Sequence, residues 1–218
     1  EPVSVETFET YQIDSFPSEW RLEAAAEAGE TRVVVDPLDS DNKVLLFRNN
    51  LTGRGTGYRI SRTFDEVTGE NERTVVGFKF MMTPTEVNTD IYVGINLQAG
   101  GKRALNFLIK QVQEESTFYF AHRTTESGST GTTGAGAEII PIEFNRWYDV
   151  RIVYEPRGIA DTKTTVYVDG ELVAELDQYY NGGDESKPPV KDINRIQLHG
   201  FNAFRGDLYL DDVYIVEE

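Results

Sequence analysis

Three strand-like runs near the end of the chain restrict its fold more than any other feature of the 218 residues. They cover residues 147–155, residues 164–176 and residues 207–216. Successive side chains on a strand point to opposite faces, so a period-two pattern marks a ribbon with one buried face. Val150, Ile152 and Tyr154 alternate with Asp149, Arg151 and Val153, while Val166 and Val168 flank Tyr167. Asp169-Gly170 stands between two apolar runs, and this dipeptide tolerates the positive φ angles of a two-residue hairpin turn. An antiparallel hairpin follows, and with it a β scaffold.

The same reading places further strands at residues 5–11, 20–24, 31–36, 43–48, 57–64, 74–82, 91–97, 103–111, 117–123, 138–142 and 194–200. Turn signals such as Asp36-Pro37, Thr68-Gly69 and Gly100-Gly101 separate them. Short strands at regular spacing predict an all-β, two-sheet antiparallel β-sandwich rather than parallel βαβ units. Twelve Phe and eleven Tyr suit heavily packed pleated faces. Residues 22–30 are the one candidate helix. The length fits a single domain over residues 1–218, large enough to enclose a core without covalent staples.

Composition removes several function classes. Without cysteine there is no disulfide, zinc-thiolate site or thiol nucleophile. No run approaches the roughly 18 apolar residues of a membrane span. The opening Glu1-Pro2-Val3 reads as a mature chain or a module of a larger one. A net charge of −16 repels nucleic acid and anionic bilayers at long range. That charge is uneven: residues 1–42 carry −9, residues 43–123 carry +3 and residues 124–218 carry −10.

Trp147-Tyr148-Asp149-Val150-Arg151-Ile152-Val153-Tyr154, the hairpin Tyr167-Val168-Asp169-Gly170 and the closing Asp211-Asp212-Val213 together resemble the final strands of the concanavalin A-like lectin/glucanase jelly rolls. That superfamily includes laminin G-like carbohydrate-binding modules. Phe8-Glu9-Thr10-Tyr11, with Phe16-Pro17 and Trp20, is similar to the opening of such modules, so the resemblance touches both ends. It implies a jelly roll with a structural calcium ion shared by Glu9 and Asp211, with further oxygens from the loop holding Asp39, Asp41 and Asn42. Calcium takes six to eight hard oxygens, and a cation explains two carboxylates side by side. The metal ligands expected are Glu9, Asp41 and Asp211. A pair of solvated edge charges at Asp211 and Asp212 is the plainer alternative.

The resemblance also implies a concave sheet that binds polysaccharide. In residues 91–98 the apolar row is Ile91, Val93, Ile95 and Leu97, leaving Tyr92, Asn96 and Gln98 outward. Neighbouring runs offer Tyr58, Arg59 and Arg62; either Asn106 and Lys110 or Arg103; and Tyr119 with Arg123, or else His122. The ligand-binding set expected is Tyr58, Arg59, Tyr92, Asn96, Arg103, Lys110, Tyr119, His122 and Arg123. Aromatic planes stack on sugar rings while Asn and Arg bond hydroxyls. The basic middle segment favours a uronate-bearing or pyruvylated glycan, because Arg pairs bidentately with carboxylates.

Catalytic patterns are weak. Gln197-Leu198-His199 is similar to the Gln-x-His strand of alginate lyases, but the companion Arg-x-Glu-Leu-Arg and Tyr-x-Lys-x-Gly-x-Tyr strands are missing. His199 therefore reads as a packed strand histidine. The Glu-x-Asp-x-x-Glu strand of the related glucanases is also absent, and no nucleophile elbow appears. The expectation is a non-catalytic carbohydrate-binding module of a secreted or cell-surface polysaccharide-degrading enzyme, with no assigned catalytic residue. A lyase or hydrolase is the alternative, and an adhesion or spacer domain is the third. Residues 127–137 and 181–191 are expected as loops bordering the cleft or as plain surface.

Overall fold

The Asp169-Gly170 turn forms as its sequence requires: Asp169 has φ 53° and Gly170 φ 81°, both in the left-handed region that a tight hairpin needs. It joins β11 (Thr162–Val168) to β12 (Glu171–Leu176). The computed structural model describes residues 4–24, 27, 29–49, 57–64, 73–86, 93–111, 117–123, 136–157, 162–176, 189–200 and 205–218. Tyr92 and most of the two expected loops lie outside these residues.

The remaining strands are β1 (Trp20–Ala24), β2 (Gly29–Asp36), β3 (Asp39–Asn49), β4 (Arg59–Thr63), β5 (Thr74–Glu86), β6 (Val93–Ala99) and β7 (Lys102–Gln111). They continue with β8 (Phe118–Arg123), β9 (Gly136–Ile142), β10 (Tyr148–Pro156), β13 (Arg195–Gly200) and β14 (Arg205–Glu217). Two seven-stranded sheets result, ordered β1-β4-β13-β6-β7-β8-β9 and β12-β11-β10-β5-β14-β3-β2. All strand pairs are antiparallel. The architecture is the two-sheet antiparallel β-sandwich.

The inner faces meet in one core. Ile60, Ile95, Leu97, Phe107, Phe120 and Leu198 come from the first sheet; Phe47, Phe78, Phe80, Val150, Ile152 and Leu210 come from the second. Phe80 packs on Phe120 with ring centroids 5.6 Å apart, bridging the sheets. At Gly77, on the face of β5 turned away from this core, an added Cβ would stand 2.1 Å from the Tyr214 ring, so only a residue without a side chain fits under that phenol.

Two expectations fail locally. Of the expected helix at residues 22–30, residues 22–24 belong to β1 and residues 29–30 to β2, the strands that carry Trp20 and Val33 into the core. The expected strand at residues 5–11 reduces to one bridge, Glu6 to Val213. Phe8 breaks it with φ 59°, a turn that lets its ring reach full burial.

Candidate functional site

On the first sheet, the face turned away from the core carries an unusual row of side-chain amides. Ser61 of β4 stands opposite Gln197 of β13, Gln197 opposite Asn96 of β6, and Asn96 opposite Asn106 of β7. Alternation dictates this placement, since Ile60, Ile196, Leu198, Ile95, Leu97, Leu105 and Phe107 all turn inward. Asn106 Nδ2 donates to Asn96 Oδ1, Asn96 Nδ2 donates to Gln197 Oε1 at 2.8 Å, and Gln98 Nε2 donates to the same oxygen at 3.3 Å. Gln197 Nε2 in turn donates to Glu23 of β1. Glu23 also accepts from Ser61 Oγ at 2.9 Å and pairs with Arg195. The row therefore crosses five adjacent strands, about 19 Å at the usual ~4.8 Å strand spacing.

This surface is recessed. Asn96 and Asn106 are fully buried, and Gln98, Lys110 and Gln197 keep only 4, 5 and 6% of their exposure. Asn106 Oδ1 and Gln98 Oε1 accept no hydrogen bond among the described residues. Buried acceptors of this kind are rare in folded proteins, and these two lie beneath the surface of the sheet face. Beside the row lies a second line, Arg59 opposite His199, His199 opposite Gly94, Gly94 opposite Leu108, and Leu108 opposite Ala121. Leu108 and Ala121 form a small buried apolar pair on this face. Burial first, then the fields of Arg59 and Arg103, push the His199 imidazole down to about 3. It is neutral at physiological pH. Next along, Lys110 stands opposite Tyr119, with its ammonium 3.5 Å from Glu138.

Of the expected ligand-binding residues, Arg59, Asn96, Arg103, Lys110 and Tyr119 share this outer face. Two do not. Tyr58 is buried against Phe47, ring centroids 5.3 Å apart, and its hydroxyl donates to Thr31 Oγ1 at 2.8 Å. His122 is fully buried on the inner face, in register with Phe107 and on the same side of β8 as Phe118 and Phe120. An aromatic or imidazole ring at either position reads equally well on either face until the packing partner is known. Arg123 belongs to β8, but its side chain lies outside the described residues. Gln197 and His199 escaped the expected set although Ile196 and Leu198, pointing inward, carried the signal that their neighbours face out.

The carboxylates near the chain termini form a second centre. In β14 the register slips between Asp211 and Tyr214, and Asp212 takes φ 48°. This bulge separates the two acids: Asp212 pairs with Lys79 at 2.6 Å, whereas Asp211 turns toward Asn42. Asn42 Nδ2 stands 3.0 Å from Asp211 Oδ2 and 3.4 Å from Asp36 Oδ2. Asp36 also accepts from Trp147 Nε1 at 3.1 Å and from Leu38 N at 2.8 Å. Both acids keep only 6% exposure, and burial pushes Asp211 up to about 6 despite the hydrogen bonds from Asn42 and the Asp212 amide. One amide nitrogen thus bridges two buried carboxylates on different strands.

The expected partners of Asp211 are placed otherwise. Glu9 accepts from Lys43 N at 2.8 Å, and the Lys43 ammonium caps the carbonyls of Glu9 and Tyr11. Asp41 is exposed, its amide bonded to Asp39 Oδ1 at 3.0 Å. Glu6, not Glu9, meets β14, and its charge is met by Arg62. Among the described residues no cluster of three or more His, Cys, Asp or Glu is gathered as a metal site.

Neither a protein-family model nor a curated protein matches the sequence. Solved structures do. The cellulose-induced protein Cip1 aligns with a TM-score of 0.61 at 11% identity, covering 99% of this chain and 97% of that one. An endo-β-1,4-glucuronan lyase from the fungus Trichoderma reesei gives 0.58 at 11% identity over 99% and 95%. The carbohydrate recognition domain of Emp47p gives 0.52 at 10% identity over 97% and 93%. At such identities the likeness is one of fold alone, a two-sheet antiparallel jelly roll.

Proposed function

From a jelly roll of this likeness, we propose that the protein binds an acidic polysaccharide across the outer face of the first sheet, as a non-catalytic module of a secreted polysaccharide-degrading enzyme. The observation that carries the reading is the hydrogen-bonded polar row on the outer sheet face, with Arg59, Arg103, Lys110 and Tyr119 on that same face. The flanking cations favour carboxylates on the chain, and the Tyr119 ring offers a plane for a sugar unit. A chain lying along the row crosses the strands and meets one polar residue per strand. Calcium, at Asp36, Asn42 and Asp211, has a structural role: it offsets two buried charges and ties β2 and β3 to β14.

A polysaccharide lyase is the second reading, favoured by the cross-strand pair Lys110 and Tyr119 on the same face. In β-elimination a base removes the proton α to the uronate carboxyl, the C4–O bond breaks as a C4–C5 double bond forms, and the departing oxygen takes a proton. His199, held near 3, is too weak a base for this at neutral pH, so Tyr119 and Lys110 would carry it. Titration calorimetry with a polyuronate and a neutral glucan, run beside ultraviolet absorbance for unsaturated ends, separates the cases. Binding of the polyuronate with unchanged absorbance is expected. Equal or tighter uptake of the neutral glucan refutes the acidic specificity, and rising absorbance replaces the module with the lyase.

A further inference from the structure

The amide row ends at β1, an edge strand, beside a cavity of about 220 Å³ lined by Glu19, Arg21, Ser61, Thr63 and Arg195. The register explains how two arginines come together there. Arg21 of β1 stands opposite Ser61, and Arg195 of β13 stands opposite Thr63, so the two guanidinium groups flank β4 from either side on one face. Arg195 is partly committed: it pairs with Glu23 and donates to Ser61 Oγ at 2.8 Å, but its Nε has no partner among the described residues. Burial, and then the field of Arg21, push its pKa below the ordinary arginine range. Arg21 is exposed and has no ion-pair partner among the described residues.

We infer that this cavity is an oxyanion subsite, which takes the carboxylate or sulfate ester of one sugar unit at the β1 end of the bound chain. The inference rests on the glycan-binding reading above and deepens it. The exposed Arg21 guanidinium and Thr63 hydroxyl provide donors from two strands, and an anion in the cavity they line with Arg195 relieves the repulsion between the two guanidinium groups. Glu19, an acceptor on the same wall, suits a hydroxyl of the same sugar, so the occupant is a charged sugar unit and not a bare inorganic ion. Among the described residues no aromatic ring lines the cavity. The groove centre holds the chain by its hydroxyls; the edge reads its charge.

The test uses three oligosaccharides of equal length: an oligouronate, a sulfated neutral glycan and the same glycan unmodified. Arg21 is an exposed edge-strand residue, so Arg21→Ala and Arg21→Lys leave the fold intact. Arg21→Ala is expected to weaken one or both charged ligands about fivefold, near 1 kcal/mol, while the unmodified glycan changes less than twofold. Thr63→Val should weaken the same ligand, and added salt should shrink the Arg21→Ala effect. The charged ligand with the larger dependence on Arg21 identifies the substituent, carboxylate or sulfate. Equal losses for charged and neutral ligands, or none, overturn the subsite. Should Asn96→Ala lower the affinity of every ligand while Arg21→Ala changes nothing, the groove reading stands and this inference falls. If the native protein takes up none of the three, both fall.

Discussion

His122 offers the sharpest check on which way the first sheet faces. The imidazole is fully buried beside Phe107, ring centroids 5.3 Å apart, and neither ring nitrogen has a hydrogen-bond partner among the described residues. Burial alone pushes it from 6.5 down to about 4. A base with a depressed pKa binds fewer protons folded than unfolded, so its contribution to stability is full above pH 6.5 and is lost as the pH falls through 4. At ~1.36 kcal/mol per unit the complete loss is on the order of 3 kcal/mol, beginning as the pH drops below 6.5, with roughly 2 kcal/mol gone by pH 5. His122→Leu fills similar space with no proton to bind. Urea denaturation of both proteins at pH 7.5, 6 and 5 should show the variant gaining about 2 kcal/mol on the parent across that interval. Carboxylates and His199 titrate alike in the two proteins and cancel in the difference. A difference that stays constant within ~0.5 kcal/mol would mean an imidazole solvated on the outer face, and the sidedness of β8 described above would be wrong.

Two further outcomes follow from the packing. Tyr58→Phe removes a buried hydrogen bond to Thr31 and should cost about 1 kcal/mol in chemical denaturation with saccharide affinity unchanged; a loss of affinity would return Tyr58 to the binding face. Calcium at about one hundred times its dissociation constant should add ~2.7 kcal/mol, raising Tm by roughly 5–10 °C for a domain of this size. A chelator should reverse the rise and Asp211→Asn should abolish it; a calcium response that survives in Asp211→Asn places the ion elsewhere.

Much of the strand plan was legible because it is local. The alternation through Val150, Ile152 and Tyr154, and through Val93, Ile95 and Leu97, matches the inward rows that the sandwich buries. The hairpin at Asp169-Gly170 was legible for the same reason, since two adjacent residues suffice to set a turn. The site was less so. Tyr58 stands just before β4, outside the strand expected to hold it, and His122 lies on β8; both turn inward, because an aromatic ring satisfies either a core or a sugar face. Small shifts added to this. Register slips at Leu97/Gln98 and at Phe120/Ala121 alter which residues share a row, and no composition signal marks them. At the N-terminus, Phe8 in a left-handed turn sends Glu6 rather than Glu9 to β14.

Period-two chemistry acting between near neighbours is enough to make this chain form antiparallel ribbons with one apolar row each. Which polar groups meet depends instead on how those ribbons are assembled. Gln197 reaches Glu23 across 174 positions, and Asn42 reaches Asp211 across 169. Such pairs carry no mark in either local segment, because what joins them is the order in which fourteen strands pack side by side in two sheets. That order is set by the fit of many buried side chains at once, a property of the assembled core and not of any stretch of chain.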